Sequence, residues 1–518
     1  MRLSASTLMI QGTGSGVGKS IMVAGLCRAL SDLGIRVAPF KSQNMALNSY
    51  ITADGGEIGR SQAVQAMAAR IEPIREINPI LLKPKEDMVA QVIINGRPYK
   101  DISASDYFRP GPEIQRLKQD AIINALEKLA EHFELIVIEG AGSPAEINLR
   151  QVDMVNMGTA RLISAPVLIV GDIDKGGVFA SLYGTVELLD GLDRDLVKGF
   201  IINKFRGDMR ILKPGLKEIE EKTGIPVFGV VPFIPGLGIE EEDAVSGLSQ
   251  GDANAEVELV VIYFPHISNF TDFDPLTHEP GVLLRYARTQ REMGRPDALI
   301  LPGTKNSIAD LEHIQRNGVA EKVIALRRAG VPIIGICGGY QMMGRTLIDE
   351  ACLESSRGSV PGLGILPVIT RFGPGKVTHQ LKLRSRGQGP FFSTEPMEFS
   401  GYEIHSGESD LKKGATPAFT RISLSGMPDA RPEGAVSRDS LCFGTYLHDL
   451  FHQDKFRRNF INVLRERKGI PPLSCPLIQW HELRDQAFDE LAETVRKSIN
   501  IQAILEIVRI PSSKICDK

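Results

Sequence analysis

The run Pro332-Ile333-Ile334-Gly335-Ile336-Cys337-Gly338-Gly339-Tyr340-Gln341 constrains the fold more than any other stretch of the chain. Its apolar part reads as a buried strand. Glycines on both sides of a cysteine read as a sharp turn, and Gln341-Met342-Met343 begins a helical pattern. The spacing Gly335-x-Cys337-x-Gly339 is that of a nucleophile elbow with sulfur where hydrolases carry serine. Small neighbours are needed because a nucleophile on a strained turn leaves little room for adjacent Cβ atoms. The N–H after the nucleophile, that of Gly338, then points at a developing oxyanion. A lone buried cysteine is more often a packing residue, so the reading depends on the partners that the rest of the chain supplies.

Near the other end, Leu8-Met9-Ile10-Gln11 reads as a strand running into Gly12-Thr13-Gly14-Ser15-Gly16-Val17-Gly18-Lys19-Ser20, followed by an apolar helical pattern through Leu30. This is the arrangement of a phosphate-binding loop. Backbone N–H groups of Gly12, Thr13, Gly14, Gly16 and Gly18 face phosphate oxygens, Lys19 neutralises charge, and the Ser20 hydroxyl reaches Mg²⁺. The strict spacing asks for glycine where Thr13 stands, so the loop is a variant. A second strand ends at Lys41, a candidate for a phosphate or a substrate carboxylate, since ligands gather at the carboxyl ends of parallel strands. Leu135-Ile136-Val137-Ile138 delivers Glu139 to the position that holds Mg²⁺ in phosphoryl-transfer enzymes. Asp54, beside flexible glycines, is a candidate metal ligand or a helix cap. Arg60 and Asp153 are candidates for substrate contact, and Asn203, after the strand Gly199-Phe200-Ile201-Ile202, for contact with the nucleotide base. Strands alternate with helical patterns throughout, so this part is a parallel α/β sheet.

Residues 236–256 are rich in Gly, Asp and Glu without a sustained apolar period and read as a linker. The strand Glu258-Leu259-Val260-Val261-Ile262-Tyr263-Phe264 then opens a second α/β domain, leading into Pro265-His266-Ile267-Ser268-Asn269-Phe270-Thr271-Asp272-Phe273-Asp274. After a further strand, Gly303 or Thr304 is placed to offer a second oxyanion N–H opposite Gly338. Residues 360–425 alternate in short runs and read as an antiparallel excursion. A last strand ends at His448, where an imidazole is placed to deprotonate Cys337. A helical pattern from Trp480 through Val508 reads as a packing helix. The expected division is 1–235, a linker at 236–256, 257–468, and a helical tail at 469–518.

Composition removes other classes. A net charge of −3 makes no case for nucleic acid or an anionic membrane. Six cysteines lie at 27, 337, 352, 442, 475 and 516 without a CxxC pair, so neither a zinc site nor a disulfide framework is expected. No apolar run is long enough to span a bilayer, and the first residues lack a signal peptide's apolar core. A cytoplasmic location is expected. A nucleotide site and a Cys–His site in one chain point to two coupled reactions. ATP converts a carboxylate to an acyl phosphate, while the Cys–His site releases ammonia from glutamine; ammonia and acyl phosphate give an amide.

Several stretches together carry a resemblance: the loop Gly12–Ser20, Phe40-Lys41-Ser42-Gln43-Asn44-Met45, Asp54-Gly55-Gly56-Glu57-Ile58-Gly59-Arg60, Glu139-Gly140-Ala141-Gly142-Ser143-Pro144-Ala145-Glu146-Ile147-Asn148-Leu149, and Pro265–Asp274. Over essentially its whole length the chain resembles the glutamine-hydrolysing cobyric acid synthase family of cobalamin biosynthesis. The resemblance implies a P-loop ATPase domain similar to dethiobiotin synthetase, then a class I glutaminase domain of flavodoxin-like fold. It implies amidation of the b, d, e and g carboxylates of adenosylcobyrinic acid a,c-diamide, with glutamine and MgATP as substrates and no tightly bound organic cofactor. It makes Cys337 the thioester nucleophile and His448 its base. Class I glutaminases carry a carboxylate two residues after the histidine; here that residue is Leu450, and Asp449 and Glu403 are the candidates for orienting His448. Two other readings stand beside this one. The acceptor is another polycarboxylate, or the chain is a ParA/MinD-like ATPase switch whose glutaminase-like module serves assembly. The oligomeric state is open.

Overall fold

The computed structural model describes residues 1, 3–86, 88–108, 111–239, 249–252, 254–355, 357–387, 389–392 and 395–511. The chain divides into two compact units. The first comprises Met1–Ala46, Ile58–Ile239 and Leu483–Lys518; the second comprises Leu47–Glu57 and Glu240–Glu482.

The first unit is built on six parallel strands: β1 (Ser6–Gly12), β2 (Val37–Phe40), β3 (Leu135–Glu139), β4 (Val167–Asp172), β5 (Val197–Phe205) and β6 (Val227–Pro232). Their order in the sheet is β6-β5-β4-β1-β3-β2. β1 to β5 are buried almost throughout, as expected when helices cover both faces. Because β1 lies between β3 and β4, the loop after β1 and the end of β3 meet at the point where the strand order reverses. A smaller sheet of Gln43–Met45, Ile80–Glu86, Val89–Ile94 and Arg97–Ser103 lies beside it in sequence and belongs to the same unit.

The second unit carries β7 (Ser249–Gly251), β8 (Val257–Ile262), β9 (Val282–Ala287), β10 (Ala298–Leu301), β11 (Ile333–Ile336), β12 (Ala435–Val436) and β13 (Cys442–Thr445). The sheet order is β7-β9-β8-β10-β11-β13-β12. Its parallel part, β9-β8-β10-β11-β13, is the flavodoxin order of second, first, third, fourth and fifth strands. Between β11 and β12 the chain leaves the sheet as long antiparallel strands, chiefly Val368–Ser385 and Glu398–Leu411, where an antiparallel excursion was expected.

Three boundaries differ from expectation. The stretch 236–256 is not all linker: β7 pairs antiparallel with β9 as an edge strand, too short and polar to signal itself in sequence. Residues 240–248 and 253 lie outside the described residues. The tail 469–518 is not one piece, because its residues from Leu483 group with the first unit. Phe488, Leu491, Ala492 and Val495 of the helix Trp480–Ser498 share a core with Val23, Leu26 and Leu30 of the helix Lys19–Asp32. Gly25 allows the approach, since a Cβ there would stand 2.7 Å from Val495 Cγ2. Finally, Leu47–Glu57 leaves the first unit's sequence and groups with the second unit. There Ser49 N–H donates to Asn269 Oδ1 at 2.9 Å, and buried Glu57 pairs with half-buried Lys376.

Candidate active sites

The elbow forms as the spacing implies. Cys337 has φ 51° and ψ −111°, backbone that few side chains adopt, and it caps the short helix Gly338–Met343. Its neighbours cannot be larger. A Cβ on Gly338 would meet Thr304 Cγ2 at 2.5 Å, and one on Gly339 would meet Leu301 O at 2.0 Å. The cysteine is buried, and its thiol donates to Ile404 O at 3.2 Å. Gly338 begins the helix, so its N–H has no acceptor within that helix. The Gly303–Thr304 loop lies against it: Thr304 N is 3.2 Å from where a Gly338 Cβ would be. The loop is held by the Thr304 hydroxyl on buried Asp310, whose Oδ1 is also 2.8 Å from His266 Nδ1.

His448 is fully buried and lies three residues beyond the end of β13, which stops at Thr445 and not at the histidine as expected. Its Nδ1 lies 2.7 Å from Asp272 Oδ2, and the other Asp272 oxygen accepts from Asp449 N–H at 3.1 Å. The Tyr402 ring stacks on the imidazole with centroids 5.0 Å apart. Among the described residues Nε2, although buried, has no hydrogen-bond partner. Burial pushes the imidazole pKa down, but the Asp272 carboxylate and the Cys337 side chain outweigh this and raise it to about 10. A proton passed from the Cys337 thiol to this imidazole is therefore held there at neutral pH.

Neither expected carboxylate orients His448. Glu403 faces Arg421 at 3.0 Å and His405 at 3.5 Å, and Asp449 donates its backbone N–H to Asp272 while its carboxylate lies 3.5 Å from His452. Asp272 takes the role because it comes from the loop after β8, while Gly303–Thr304, Cys337 and His448 follow β10, β11 and β13. All four groups thus stand at the carboxyl end of one parallel sheet. Asp272 lies within a stretch already singled out for resemblance, yet nothing in one dimension marks it as His448's partner across 176 residues. The hairpin Leu47–Glu57 supports the same region: Asn48 Oδ1 accepts from Asn269 N–H at 2.6 Å, and the Tyr402 hydroxyl donates to Ser49 O at 3.1 Å.

In the first unit the loop after β1 folds as a cradle. Gly16 and Gly18 have φ 70° and 97°, and a Cβ on Gly12 would strike Val17 at 2.6 Å. Thr13 sits in the loop with its N–H on Val170 O at 3.0 Å, so the variant position is tied to β4 by backbone alone. A Cβ on Gly14 would meet nothing. Lys19 Nζ donates to Gly14 O at 2.8 Å and Gly142 O at 3.1 Å, bending over the loop. Ser20 Oγ donates to Glu139 Oε1 at 2.9 Å, and Lys41 Nζ pairs with the same oxygen at 3.0 Å. Burial pushes the Glu139 carboxyl up, but Lys41 with Gln65 and Ser20 holds it below its ordinary value. Gln65 and Gln62 reach the second oxygen at 2.5 and 3.5 Å. Neither glutamine was singled out in the sequence, though two buried glutamines three apart on an alanine-rich helix were a signal.

The remaining candidates fare differently. Asn203 Nδ2 donates to Val17 O at 2.9 Å and so braces the phosphate loop. Arg60 is buried at the first residue of the helix Arg60–Ala68. Asp153 accepts three N–H bonds, from Val155, Asn156 and Gly158, which makes it a local cap for the helix Met157–Ile163. Asp54 accepts from the Thr52 hydroxyl at 2.5 Å in a turn of the second unit, so the expected metal set of Ser20, Asp54 and Glu139 is not gathered within one unit. Among the described residues no group of three His, Cys, Asp or Glu side chains is arranged to hold a metal. The hard oxygens of Ser20 and Glu139, adjacent beside a phosphate loop, fit Mg²⁺ shared with phosphates. Cys27, Cys337, Cys352, Cys442 and Cys475 are all unpaired, and Cys516 lies outside the described residues. No described helix is long and apolar enough to cross a membrane.

Comparison with known proteins agrees with both halves. Residues 8–244 match the CobQ/CobB/MinD/ParA nucleotide binding domain family, and residues 258–456 match the CobB/CobQ-like glutamine amidotransferase domain family. The chain is 46% identical over 516 residues to the cobyric acid synthase of Desulforamulus reducens, covering 98% of this chain and 99% of that one. It is 46% identical over 507 residues to the cobyric acid synthase of Salmonella arizonae, covering 97% and 98%.

Proposed function

The chain belongs to the cobyric acid synthase family of ATP-dependent amidating ligases, and from that premise we propose that it amidates the b, d, e and g carboxylates of adenosylcobyrinic acid a,c-diamide, yielding adenosylcobyric acid. The observation that carries the reading is the pairing, in one chain, of a phosphate loop braced on Glu139 with an elbow cysteine whose histidine is held by Asp272. Each set of groups has a half-reaction to perform, and the amide forms from their two products.

At the elbow, the Cys337 sulfur attacks the side-chain amide carbon of glutamine as thiolate, with the charge balanced by the His448 imidazolium. The N–H of Gly338, together with the Gly303–Thr304 loop, stabilises the oxyanion. His448 gives its proton to the leaving nitrogen, the C–N bond breaks, and ammonia departs; Asp272 keeps the imidazolium oriented. Water then cleaves the thioester, giving glutamate and restoring the thiol. At the other site an acceptor carboxylate oxygen attacks the γ-phosphorus of ATP and ADP leaves. Lys19 neutralises the transferring charge. Ser20 and Glu139 are the residues that would hold Mg²⁺, which supplies further charge neutralisation at the phosphates. Ammonia attacks the acyl carbon, phosphate leaves, and an amide remains.

The test is to give the purified chain adenosylcobyrinic acid a,c-diamide, MgATP and glutamine and to follow corrinoid mass. Four successive amidations are expected. Cys337→Ala should lose the glutamine-dependent reaction and keep the ammonia-dependent one. A wild-type chain that hydrolyses glutamine but leaves this corrinoid untouched while amidating another polycarboxylate would sink the assignment of substrate.

A further inference from the structure

We propose that Lys118 anchors a carboxylate arm of the acceptor in a cavity beside the phosphate loop; this rests on the polycarboxylate acceptor proposed above. The helix Pro112–His132 buries seven residues, and six of them, Ala121, Ile122, Ala125, Leu126, Leu129 and Ala130, form an apolar stripe. The seventh is Lys118, three residues before Ala121 on the same face and 3% exposed. Its ammonium sits 3.8 Å from the centre of the Tyr107 ring, whose hydroxyl is engaged with Gln43. Among the described residues no carboxylate or carbonyl pairs with that ammonium. A buried cation without an anion is costly, and the structure keeps one here. Burial accordingly pushes its pKa down to about 8.

Lys118 lines a cavity of about 260 Å³ within the first unit. The wall is mainly apolar, with Met45, Pro144, Leu149 and Met154 contributing. The acids that share the cavity have other work or lie open to water: Asp153 holds three N–H groups, Asp193 is clamped by Arg161 at 2.5 and 2.7 Å, and Glu146 is exposed. Arg150 donates to Leu188 O. Gly142 belongs to both places: it lines the cavity and its carbonyl accepts from Lys19 Nζ. The space is therefore next to the lysine that handles phosphate charge.

The size and chemistry select the guest. The cavity is smaller than the roughly 300–1,000 Å³ that encloses a drug-sized ligand, so it takes one arm of a larger molecule. An apolar sleeve ending in one ammonium and an aromatic face favours an alkyl chain ending in a carboxylate. A carboxylate arm gains a charge-assisted hydrogen bond there; the same arm as an amide does not. Lys118 thus distinguishes arms still to be amidated from arms already finished, by binding and not by chemistry.

The experiment uses the full chain with ammonia as nitrogen donor, comparing wild type with Lys118→Gln and Lys118→Met. Loss of a charge-assisted hydrogen bond predicts a rise in acceptor KM of roughly 10- to 100-fold, with ATP KM and glutamine hydrolysis within twofold of wild type. Unchanged glutamine hydrolysis and melting temperature in either variant certify the fold. An acceptor KM within twofold of wild type in a folded variant overturns the anchor and leaves the proposed function standing. Failure of the wild-type chain to amidate the corrinoid removes the proposed function and the anchor with it.

Discussion

At the scale of single residues, the decisive pair is Asp272 and His448. Orienting a histidine by a buried carboxylate fixes its tautomer and steadies the imidazolium; removing only the charge of such a carboxylate costs roughly 10⁴-fold in the serine-protease case. Asp272→Asn is therefore expected to lower kcat for glutamine hydrolysis by at least about 10²-fold while sparing ammonia-dependent amidation. The pH dependence follows from the sign of the shift. His448 is raised from an ordinary value near 6.5 to about 10. Its contribution to stability is fully present below pH about 6.5 and is lost as pH rises through about 10. In the proposed mechanism the same limit bounds catalysis, since the leaving nitrogen takes the imidazolium proton. In wild type the high-pH limb of glutamine hydrolysis should fall near pH 10, and in Asp272→Asn it should move toward neutrality. A high-pH limb that stays put would assign the shift to some other group. Cys337 and His448 were legible because turn glycines and a strand-end histidine have local signatures. Asp272 was not, because a hydrogen bond between loops 176 residues apart leaves no local pattern.

Among elements, the hairpin Leu47–Glu57 carries the most consequence. Its Asn48 and Ser49 hold Asn269, whose φ of 53° begins the turn of helix Phe270–His278 that bears Asp272. Ser49 O also receives the hydroxyl of Tyr402, which stacks on His448. Both supports of the imidazole therefore pass through two residues of the hairpin. Asn48→Ala should lower kcat for glutamine hydrolysis about tenfold, the cost of one buried hydrogen bond left open. Its effect on the high-pH limb should follow that of Asp272→Asn in direction. Unaltered kcat and pH profile would leave the hairpin with packing alone. The elbow and the phosphate loop were both predicted as elements from glycine spacing next to apolar strands. The hairpin's partners were not, since Asn48 and Ser49 read only as polar loop residues.

For the molecule as a whole, the helix Trp480–Ser498 packs, from Leu483 onward, into the core of the first unit. Leu491 and Val495 fill the space over Gly25, and buried Arg28 pairs with Asp485 and Asp489 at 2.8 Å. Leu491→Ala removes a fully buried side chain and should cost about 2–5 kcal/mol. The expected outcome is loss of ammonia-dependent amidation at lower urea than in wild type, with glutamine hydrolysis keeping its wild-type midpoint. A common shift of both activities would show that the helix stabilises the two units alike. From sequence alone came the parallel α/β character of both halves, the phosphate loop with Glu139, the Cys337 elbow and the histidine at residue 448. These rest on periodicity and spacing within about ten residues, where backbone geometry acts directly. Tertiary structure alone decided that Asp272 holds His448, that the chain from Leu483 completes the core of the first unit, and that residues 47–57 group with the second. Each is a contact between segments far apart in sequence, chosen by the burial of apolar and polar surface in three dimensions.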